Sequence, residues 1–209
     1  VGEVIFAAQT RLEEAVKFRR ALHAKMPAYG RSPDQMKILP GLSPILSSTE
    51  REARLKEQEL DELIVPAVGV WMLSEQMNFR FYDLDIDGPM PTKDVRAIGA
   101  AMTPRVVSLL DRADRENLSI RECANEVART RSHGSFIGTI EQFADHVALW
   151  RDEGACDGFN IMPAYFPAEM DVFVNEAVPE LQRRGLMRRD YEGTTLRENL
   201  GLQKPERRR

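Results

Sequence analysis

The chain has 209 residues, of which 43% are hydrophobic and 30% are charged, so it can bury a core and is not a disordered or collagen-like polypeptide. Its formal net charge of -4 leaves no basic surface of the kind that nucleic acid binds, and we interpret Arg207–Arg209 as a short solvated tail. Its apolar stretches are far shorter than the ~20 residues of a membrane helix, and no targeting segment opens the chain. We therefore expect neither a nucleic-acid partner nor a membrane.

The chain contains two cysteines, Cys123 and Cys156, which lack the CxxC or Cys/His spacing of metal sites and redox pairs. Thiols without such partners fit a reducing compartment, so we expect a cytoplasmic protein. The first residue is Val1 rather than Met, and VGEVIFAAQ already has the composition of a buried strand. We therefore expect a truncated chain that begins inside an element.

Three stretches share one pattern: an apolar run that predicts a strand, then Thr-x-x-Glu or Thr-x-x-Gln, and then a helical repeat. The threonine hydroxyl can accept a hydrogen bond from a free amide at the helix start, and the Glu or Gln side chain can reach back. The stretches are VIFAAQ before Thr10–Glu13, KILPGLSPILSS before Thr49–Glu52, and GSFIG before Thr139–Gln142. Apolar residues at helical spacing follow, at Ala15, Phe18, Leu22 and Met26 and at Ile140, Phe143, Ala144, Val147 and Ala148.

A fourth unit, GFNIMPAY, is followed by an apolar helical face that contains Pro179, a possible kink, and ends near Gly185. Strands that alternate with helices and are apolar throughout are typical of a parallel sheet covered by helices. Because a complete (β/α)8 barrel needs ~250 residues or more, four units predict half of a TIM barrel. We predict one α/β domain over 1–209, with 186–209 as a C-terminal tail.

A long stretch, 72–132, interrupts the repeat between the second helix and the third strand. It contains an acidic loop, a helix capped by Thr103 with Pro104 at its first position, and a helix opened by the box Ser119-x-x-Glu122. Ordinary connections in such folds take ~2–6 residues, so we expect this helical insertion to form either a lid or a bracing hairpin.

The run DLDIDG at 83–88 matches the opening of a calcium-binding loop, with Asp94 at the last ligand position. Pro89 and Pro91 follow the glycine where the loop needs an extended segment, and Asp94 replaces the bidentate Glu. We therefore interpret the run as a solvated acidic turn and expect no metal site.

The three histidines, His23, His133 and His146, form no local pair. His146 falls on the polar side of its predicted helix, so we expect it at the surface. His133 immediately precedes a strand, where a structural role and a pocket role both remain open.

The sequence carries no GxGxxG, Walker or GxSxG signature, so classical dinucleotide binding, nucleotide hydrolysis and hydrolase chemistry are not indicated. In a barrel, chemistry takes place at the carboxyl ends of the strands, which here are 8–9, 41–44, 138–139 and 160–165. No catalytic residue can be assigned. The candidate cofactor-binding or pocket-facing residues are Ala8, Gln9, Gly41, His133, Gly138, Met162 and Pro163.

Several blocks resemble one branch of the luciferase-like flavin monooxygenases, the group of nitrilotriacetate monooxygenase component A, dibenzothiophene-sulfone monooxygenase and pristinamycin synthase. They include VIFAAQ, GRSPDQMKILPGLSPILSSTEREA, LDIDGPMP, IGTIEQFADHV, GACDGFNIMP and VPELQRRGLMRRDYEGTTLRENLGL. The last block is the most specific, because YEGTTLRENLGL serves no general helix or turn requirement. The resemblance runs essentially from end to end and matches the C-terminal half of the family's barrel.

The resemblance implies a homo-oligomeric enzyme that receives reduced FMN from a separate NAD(P)H:flavin reductase and uses O2 to oxygenate a small substrate. Substrates in the group include aminopolycarboxylates, organosulfur compounds and antibiotic precursors. Most flavin contacts in the family, including those to the phosphate, come from the first four strands and from a Ser/Gly-rich loop just before the strand that VIFAAQ resembles. This sequence does not contain these segments. The resemblance therefore also implies the N-terminal half of the barrel as a partner, and an incomplete isolated chain.

The sequence is also compatible with two other functions. A truncated or split half-barrel can act as a catalytically inactive assembly partner, because half of a barrel exposes sheet edges and interior surface. A barrel enzyme with an unrelated cofactor is also compatible with the strand and helix pattern alone, since a fold does not determine a function.

Overall fold

The computed structural model describes residues 2–98, 102–131 and 133–204, and over these residues its four named strands alternate with helices and pair only in parallel. The strands are β1 (Val4–Ala7), β2 (Lys37–Ser47), β3 (Gly134–Thr139) and β4 (Asn160–Ile161). Longer helices follow the first three strands. These are α1 (Leu12–Lys25) after β1, α2 (Glu50–Glu62) after β2 and α7 (Ile140–Asp152) after β3. The predicted alternation of strands and helices is confirmed.

The remaining helical segments lie in the insertion and near the C-terminus. Those of the insertion are α3 (Pro66–Met77), α4 (Thr92–Ala97), α5 (Pro104–Glu116) and α6 (Ile120–Thr130). Those after β4 are α8 (Ala168–Val172), a π-helical turn (Phe173–Ala177), α9 (Val178–Arg183) and α10 (Leu196–Asn199). Two short 3-10 turns, Met26–Tyr29 and Pro33–Gln35, connect α1 to β2. None of the helices in the described ranges is long and apolar enough to cross a membrane.

Strand β2 is the centre of the sheet. β1 pairs with its first part, Lys37–Pro40, and β3 with its last part, Leu42–Ser47. β4 pairs at Gly41 and Leu42. Because Leu42 pairs with β3 and with β4, these two strands flank β2 on opposite edges. This position explains why every residue from 40 to 46 is buried, as in a parallel strand that is covered on both faces.

Two of the three predicted threonine caps are confirmed. Thr49 accepts from the backbone amide of Glu52 at 3.2 Å, and Thr139 forms a complete capping box with Gln142. The predicted cap at Thr10 is wrong, because α1 begins at Leu12 and its N-cap position has no side-chain hydrogen bond. The Thr10 hydroxyl instead lies 3.2 Å from that of Ser108 on α5. A tertiary partner has therefore replaced the local one.

The predicted kink at Pro179 takes the form of a π-helical turn just before it. Proline has no amide hydrogen and its ring crowds the carbonyl one turn earlier, so the helix widens there instead of breaking. The predicted end at Gly185 is confirmed: Gly185 has a φ of 68°, and the amide of Leu186 donates to the carbonyl of Leu181 at 2.8 Å. This is the usual left-handed ending of an α-helix.

The sheet and its helices share a core that holds β2 against α7 and the helix after β4. Its fully buried members are Leu42, Leu46, Phe143, Ala144, Ala177 and Leu181. Phe143 and Ala144 were predicted to lie on the face of α7 that packs against the protein core, and both are buried. The predicted stripe on α1 is confirmed at its ends, where Ala15 and Met26 are buried.

The insertion is a layer of four helices with a separate core. That core includes Leu73, Phe81, Val106, Leu110, Ile120 and Val127. The predicted cap at Thr103 and the predicted box at Ser119 and Glu122 are both present. Helix α3 packs into this layer although it begins at Pro66, upstream of the predicted insertion. Ser132, the last residue of that insertion, and Arg207–Arg209 lie outside the described residues.

One largely buried arginine joins the helical layer to α2, the helix that follows β2. Arg129 on α6 donates to Glu57 on α2 at 2.7 Å, and its other terminal nitrogen contacts Asp61 one turn further along α2. The side chain of Arg129 is only 10% exposed. The insertion is therefore attached to the helix that follows β2 by a buried guanidinium shared between two carboxylates.

Candidate functional site

The predicted pocket residues fall at different levels of the sheet. Ala8 and Gln9 follow the end of β1, and Met162 and Pro163 follow β4, as predicted. Gly138 is the penultimate residue of β3, where a Cβ would lie 2.5 Å from Gln142 Oε1. Gly138 therefore leaves room for the side chain that caps α7.

Gly41 was predicted to lie at the carboxyl end of its strand, and this is wrong. β2 continues to Ser47, so Gly41 lies in its middle. Pro40 and Pro44 fit within this strand because residues of even number in β2 direct their polar groups toward the β4 edge, where the amide of Ile38 contacts Asp157. β4 pairs there with only two residues of β2. Proline has no amide hydrogen to donate, so it is tolerated on a strand edge that forms few backbone hydrogen bonds.

Gly41 makes room for two stacked rings. The rings of Phe6 and His133 have centroids 4.6 Å apart and an interplanar angle of 11°. A Cβ at Gly41 would lie 2.6 Å from His133 Nδ1 and 2.7 Å from Phe6 Cε2. The stack can therefore lie flat against β2 only because residue 41 has no side chain.

We expect Gly41→Ala to lower the free energy of unfolding by about 1–3 kcal/mol, because the added methyl group must displace both rings. Urea denaturation measures this loss. Combining it with His133→Ala removes one of the two clashes, so the double variant should lose less than the sum of the single changes. An additive double variant would show that the stack is not what excludes a side chain at this position.

A cavity of about 270 Å³ opens beside this stack. It lies between the end of β1, the start of β3 and the insertion helix α5. Its polar lining includes Thr10, Arg11, Arg105, Ser108, Arg112 and His133. Of the predicted site residues, this cavity contains His133, while Gln9 directly precedes Thr10 in the chain. The arginines of α5 could not be linked to this site from sequence, because the tertiary fold brings them there.

The lining of the cavity is basic on balance, since four arginines line it together with one carboxylate, Glu126. Arg112 forms an ion pair with Glu126 across the helical layer, and Arg115 pairs with Glu116 at 2.9 Å. The fourth lining arginine, Arg11, lies 3.9 Å from a carboxylate oxygen of Asp111.

His133 is the titratable ring of this cavity. Burial lowers its pKa below the usual value, and the positive charge of Arg105 lowers it further. Its Nδ1 is buried and has no hydrogen-bond partner among the described residues. The ring is therefore neutral at pH 7 and takes part in the site as an aromatic and hydrogen-bonding group rather than as a cation.

His146 is not the surface residue that the sequence predicted. Its ring lies within 5.3–6.1 Å of the rings of Phe136, Trp150 and Phe159. Burial lowers its pKa. The helical pattern placed His146 on the polar side of α7, but β3 and the segment before β4 bring aromatic rings over that side.

A buried carboxylate that sequence reasoning missed lies near the end of β2. Glu169 is 2% exposed, and it accepts from Lys56 Nζ at 2.8 Å and from the amide of Leu46 at 3.2 Å. Lys56 also donates to the carbonyl of Leu46 at 2.7 Å. The hydroxyl of Tyr165 lies 3.4 Å from Glu169. A signal was available, since Glu169 stands one turn before Phe173 on the apolar face of its helix.

Two carboxylates of the acidic run at 83–88 accept hydrogen bonds from other groups of the protein. Asp87 accepts from Arg121 Nε at 2.5 Å, and Asp85 accepts from the amide of Asp87 at 3.1 Å. Within the described ranges, no group of three or more His, Cys, Asp or Glu side chains is placed to hold a metal ion. Cys123 and Cys156 are buried free thiols, and burial raises their pKa values to about 12 and about 11.

The chain is similar along almost its whole length to curated monooxygenases. It is 44% identical to N-acetyl-S-(2-succino)cysteine monooxygenase of Bacillus subtilis (strain 168) and 42% identical to nitrilotriacetate monooxygenase component A of Aminobacter aminovorans. It is 41% identical to one of the subunits of pristinamycin IIA synthase from Streptomyces pristinaespiralis. These matches cover 98–99% of this chain but 45–47% of the relatives. The chain therefore spans about half the length of the curated relatives it matches. No protein-family model matches it.

Solved structures are also matched over slightly less than half of their length. DmoA from Hyphomicrobium sulfonivorans matches with a TM-score of 0.79 at 26% identity, over 95% of this chain and 41% of that one. EDTA monooxygenase from Chelativorans sp. BNC1 matches with a TM-score of 0.68 at 31% identity, over 97% of this chain and 47% of that one. A riboflavin lyase solved with modified FMN and riboflavin matches with a TM-score of 0.71 at 25% identity, over 99% and 44%.

Proposed function

We propose that this chain belongs to the monooxygenase family of nitrilotriacetate monooxygenase component A and pristinamycin IIA synthase and forms part of an FMN-dependent monooxygenase. The fold is that of about half of a luciferase-like TIM barrel, as the sequence predicted. The observation that carries the proposal is the 44% identity to N-acetyl-S-(2-succino)cysteine monooxygenase. The match covers 98% of this chain and 46% of that relative. Identity of this extent supports common descent with these monooxygenases.

The cavity fits one part of a flavin or substrate. A guanidinium group, hydroxyl groups and a neutral imidazole are groups that can bind the polar end of such a ligand. A volume of about 270 Å³ is just below the ~300–1,000 Å³ of pockets that enclose a complete small ligand. We therefore propose that this chain contributes one wall of the site and that the other half of the barrel contributes the rest.

When bound, reduced FMN supplies the electrons for a reaction in which one atom of O2 enters the substrate and the other leaves as water. The share of this chain is to position the ligand and exclude water. His133 lines the cavity, and Ala8 and Gln9 lie at the end of β1 beside it; we keep these three as proposed pocket residues. Gly41 supports the His133 ring, and Gly138, Met162 and Pro163 remain candidates outside this cavity.

Several partners follow from the family. We propose a separate NAD(P)H:flavin reductase, the N-terminal half of the barrel, a small organic substrate such as an aminopolycarboxylate or organosulfur compound, and a homo-oligomer in the cytoplasm. The helical insertion borders the cavity through α5, which favours the lid among the two roles predicted for 72–132.

Flavin binding tests the proposal. We expect this chain alone to bind FMN weakly or not at all, because half of a barrel offers only one wall of the site. Together with the N-terminal half of a homologous barrel, it should bind FMN and oxygenate substrate only when NADH, a flavin reductase and O2 are all present. Fluorescence titration and product analysis measure the two effects.

Two results would contradict this proposal. Tight one-to-one FMN binding by the chain alone would show that the site is complete within it. An assembled barrel that binds no FMN would favour the structural half-barrel without catalysis. Replacing FMN with an NAD(P) cofactor serves as the control for a barrel enzyme of another class.

A further inference from the structure

The cavity beside His133 carries one positive charge that the described part of the chain does not balance. Arg112, Arg115 and Arg11 each have a carboxylate within 4 Å. Arg105 lines the same cavity, and no carboxylate of the described residues lies within ion-pair distance of it. It is also half-buried. A half-buried guanidinium is stabilised when an anion accompanies it.

Two hydroxyl groups lie beside this charge. Ser108 follows Arg105 by three residues on α5, so both side chains are on one face of the helix. The Ser108 and Thr10 hydroxyl oxygens are 3.2 Å apart. Each hydroxyl carries one proton, and the bond between the two groups uses only one of them. The second proton is available to donate to a ligand.

From these contacts we propose that Arg105, Thr10 and Ser108 form a subsite for an oxyanion, either a carboxylate or a phosphate, of the small ligand. The subsite lies in the cavity assigned above and rests on the proposed function. Its donors come from the end of β1 and from the insertion, so an anion bound here bridges the sheet and the helical layer. The two sources of such an anion are a carboxylate of the substrate and the phosphate of FMN.

Titration of the flavin-free protein with inorganic phosphate and with succinate tests the subsite directly. We expect saturable binding of at least one of them, and Arg105→Met should weaken it about tenfold or more, because a charge-assisted hydrogen bond is lost. Arg115→Met is the matched control: it lies on the same helix, lines the same cavity and is paired with Glu116. It should change the affinity less than about twofold.

Comparison of FMN with riboflavin in the assembled barrel distinguishes the two sources. If the subsite holds the flavin phosphate, Arg105→Met weakens FMN binding and leaves riboflavin binding unchanged. If it holds a substrate carboxylate, both flavins bind as before and only the affinity for succinate falls. Arg105→Lys, which keeps the charge, should restore part of the affinity, and circular dichroism should show that each variant is folded.

The inference is overturned if neither anion binds, if Arg105→Met binds both as well as the unchanged protein does, or if Arg115→Met weakens binding equally. The last result would mean that the cavity attracts anions only through its general charge. Because the titration needs no flavin, reductase or oxygen, an enzyme that fails every oxygenation assay can still show the subsite.

Discussion

Lys56→Met should lower the free energy of unfolding by about 3 kcal/mol, since removing one partner of a buried ion pair leaves the other charge without compensation. Glu169 would then keep two hydrogen-bond donors, the amide of Leu46 and the hydroxyl of Tyr165, but no cation. Glu169→Gln should have a smaller effect, because the Lys56 side chain is 27% exposed and can reach water. Guanidinium denaturation of the purified chain measures both.

Arg54→Met is the control for this prediction. Arg54 lies on the same helix and pairs with Glu50 at 2.9 Å, but both side chains are about half exposed. It should lower stability by less than ~1 kcal/mol. The double variant Lys56→Met/Glu169→Gln should recover part of the loss of the lysine variant, and a strictly additive result would rule out a coupled pair.

Arg129→Met should also lower the free energy of unfolding by about 3 kcal/mol, because it leaves Glu57 and Asp61 adjacent on α2 with no cation between them. The helical insertion would at the same time lose this ionic link to α2. We expect the amides of α6 to exchange with solvent faster in this variant than those of β2, as measured by hydrogen exchange.

Arg121→Met provides the matched comparison on α6. Arg121 pairs with Asp87 at 2.5 Å, but the carboxylate is 65% exposed, so the loss should stay below ~1 kcal/mol. Equal losses in the two variants would mean that burial does not set the strength of these pairs. The loss of stability in Arg129→Lys should lie between those of Arg129→Met and Arg121→Met, since an ammonium group cannot span two carboxylates as a guanidinium does.

Local sequence patterns predicted the elements well where the deciding contacts are themselves local. The caps at Thr49, Thr103, Ser119 and Thr139 each involve an amide three residues away. Such contacts depend on residue type and spacing alone. The same holds for Gly185, where the left-handed backbone that ends a helix favours glycine.

The errors arose where a distant segment changed the environment of a residue. Thr10 contacts Ser108, which is 98 residues away in the chain. His146 is covered by Phe136 and Phe159, which no helical pattern of α7 could indicate. The candidate site has the same character: His133 could be named as a pocket residue, whereas the role of Arg105 depends on how α5 packs against the end of β1.

The position of β2 also determines the order in which the sheet can form. Each of the parallel pairings in the described sheet includes β2, and its partners are about thirty residues earlier and about ninety to one hundred and twenty residues later in the chain. The loops that close before β3 and β4 can pair therefore include the whole insertion, and long loops slow the search for contacts.

The helices of the insertion contact one another over sequence separations shorter than those that join β2 to β3 and β4. Refolding should thus produce helical signal before the sheet is complete, and during that interval β2, an apolar strand, is open to pairing with other chains.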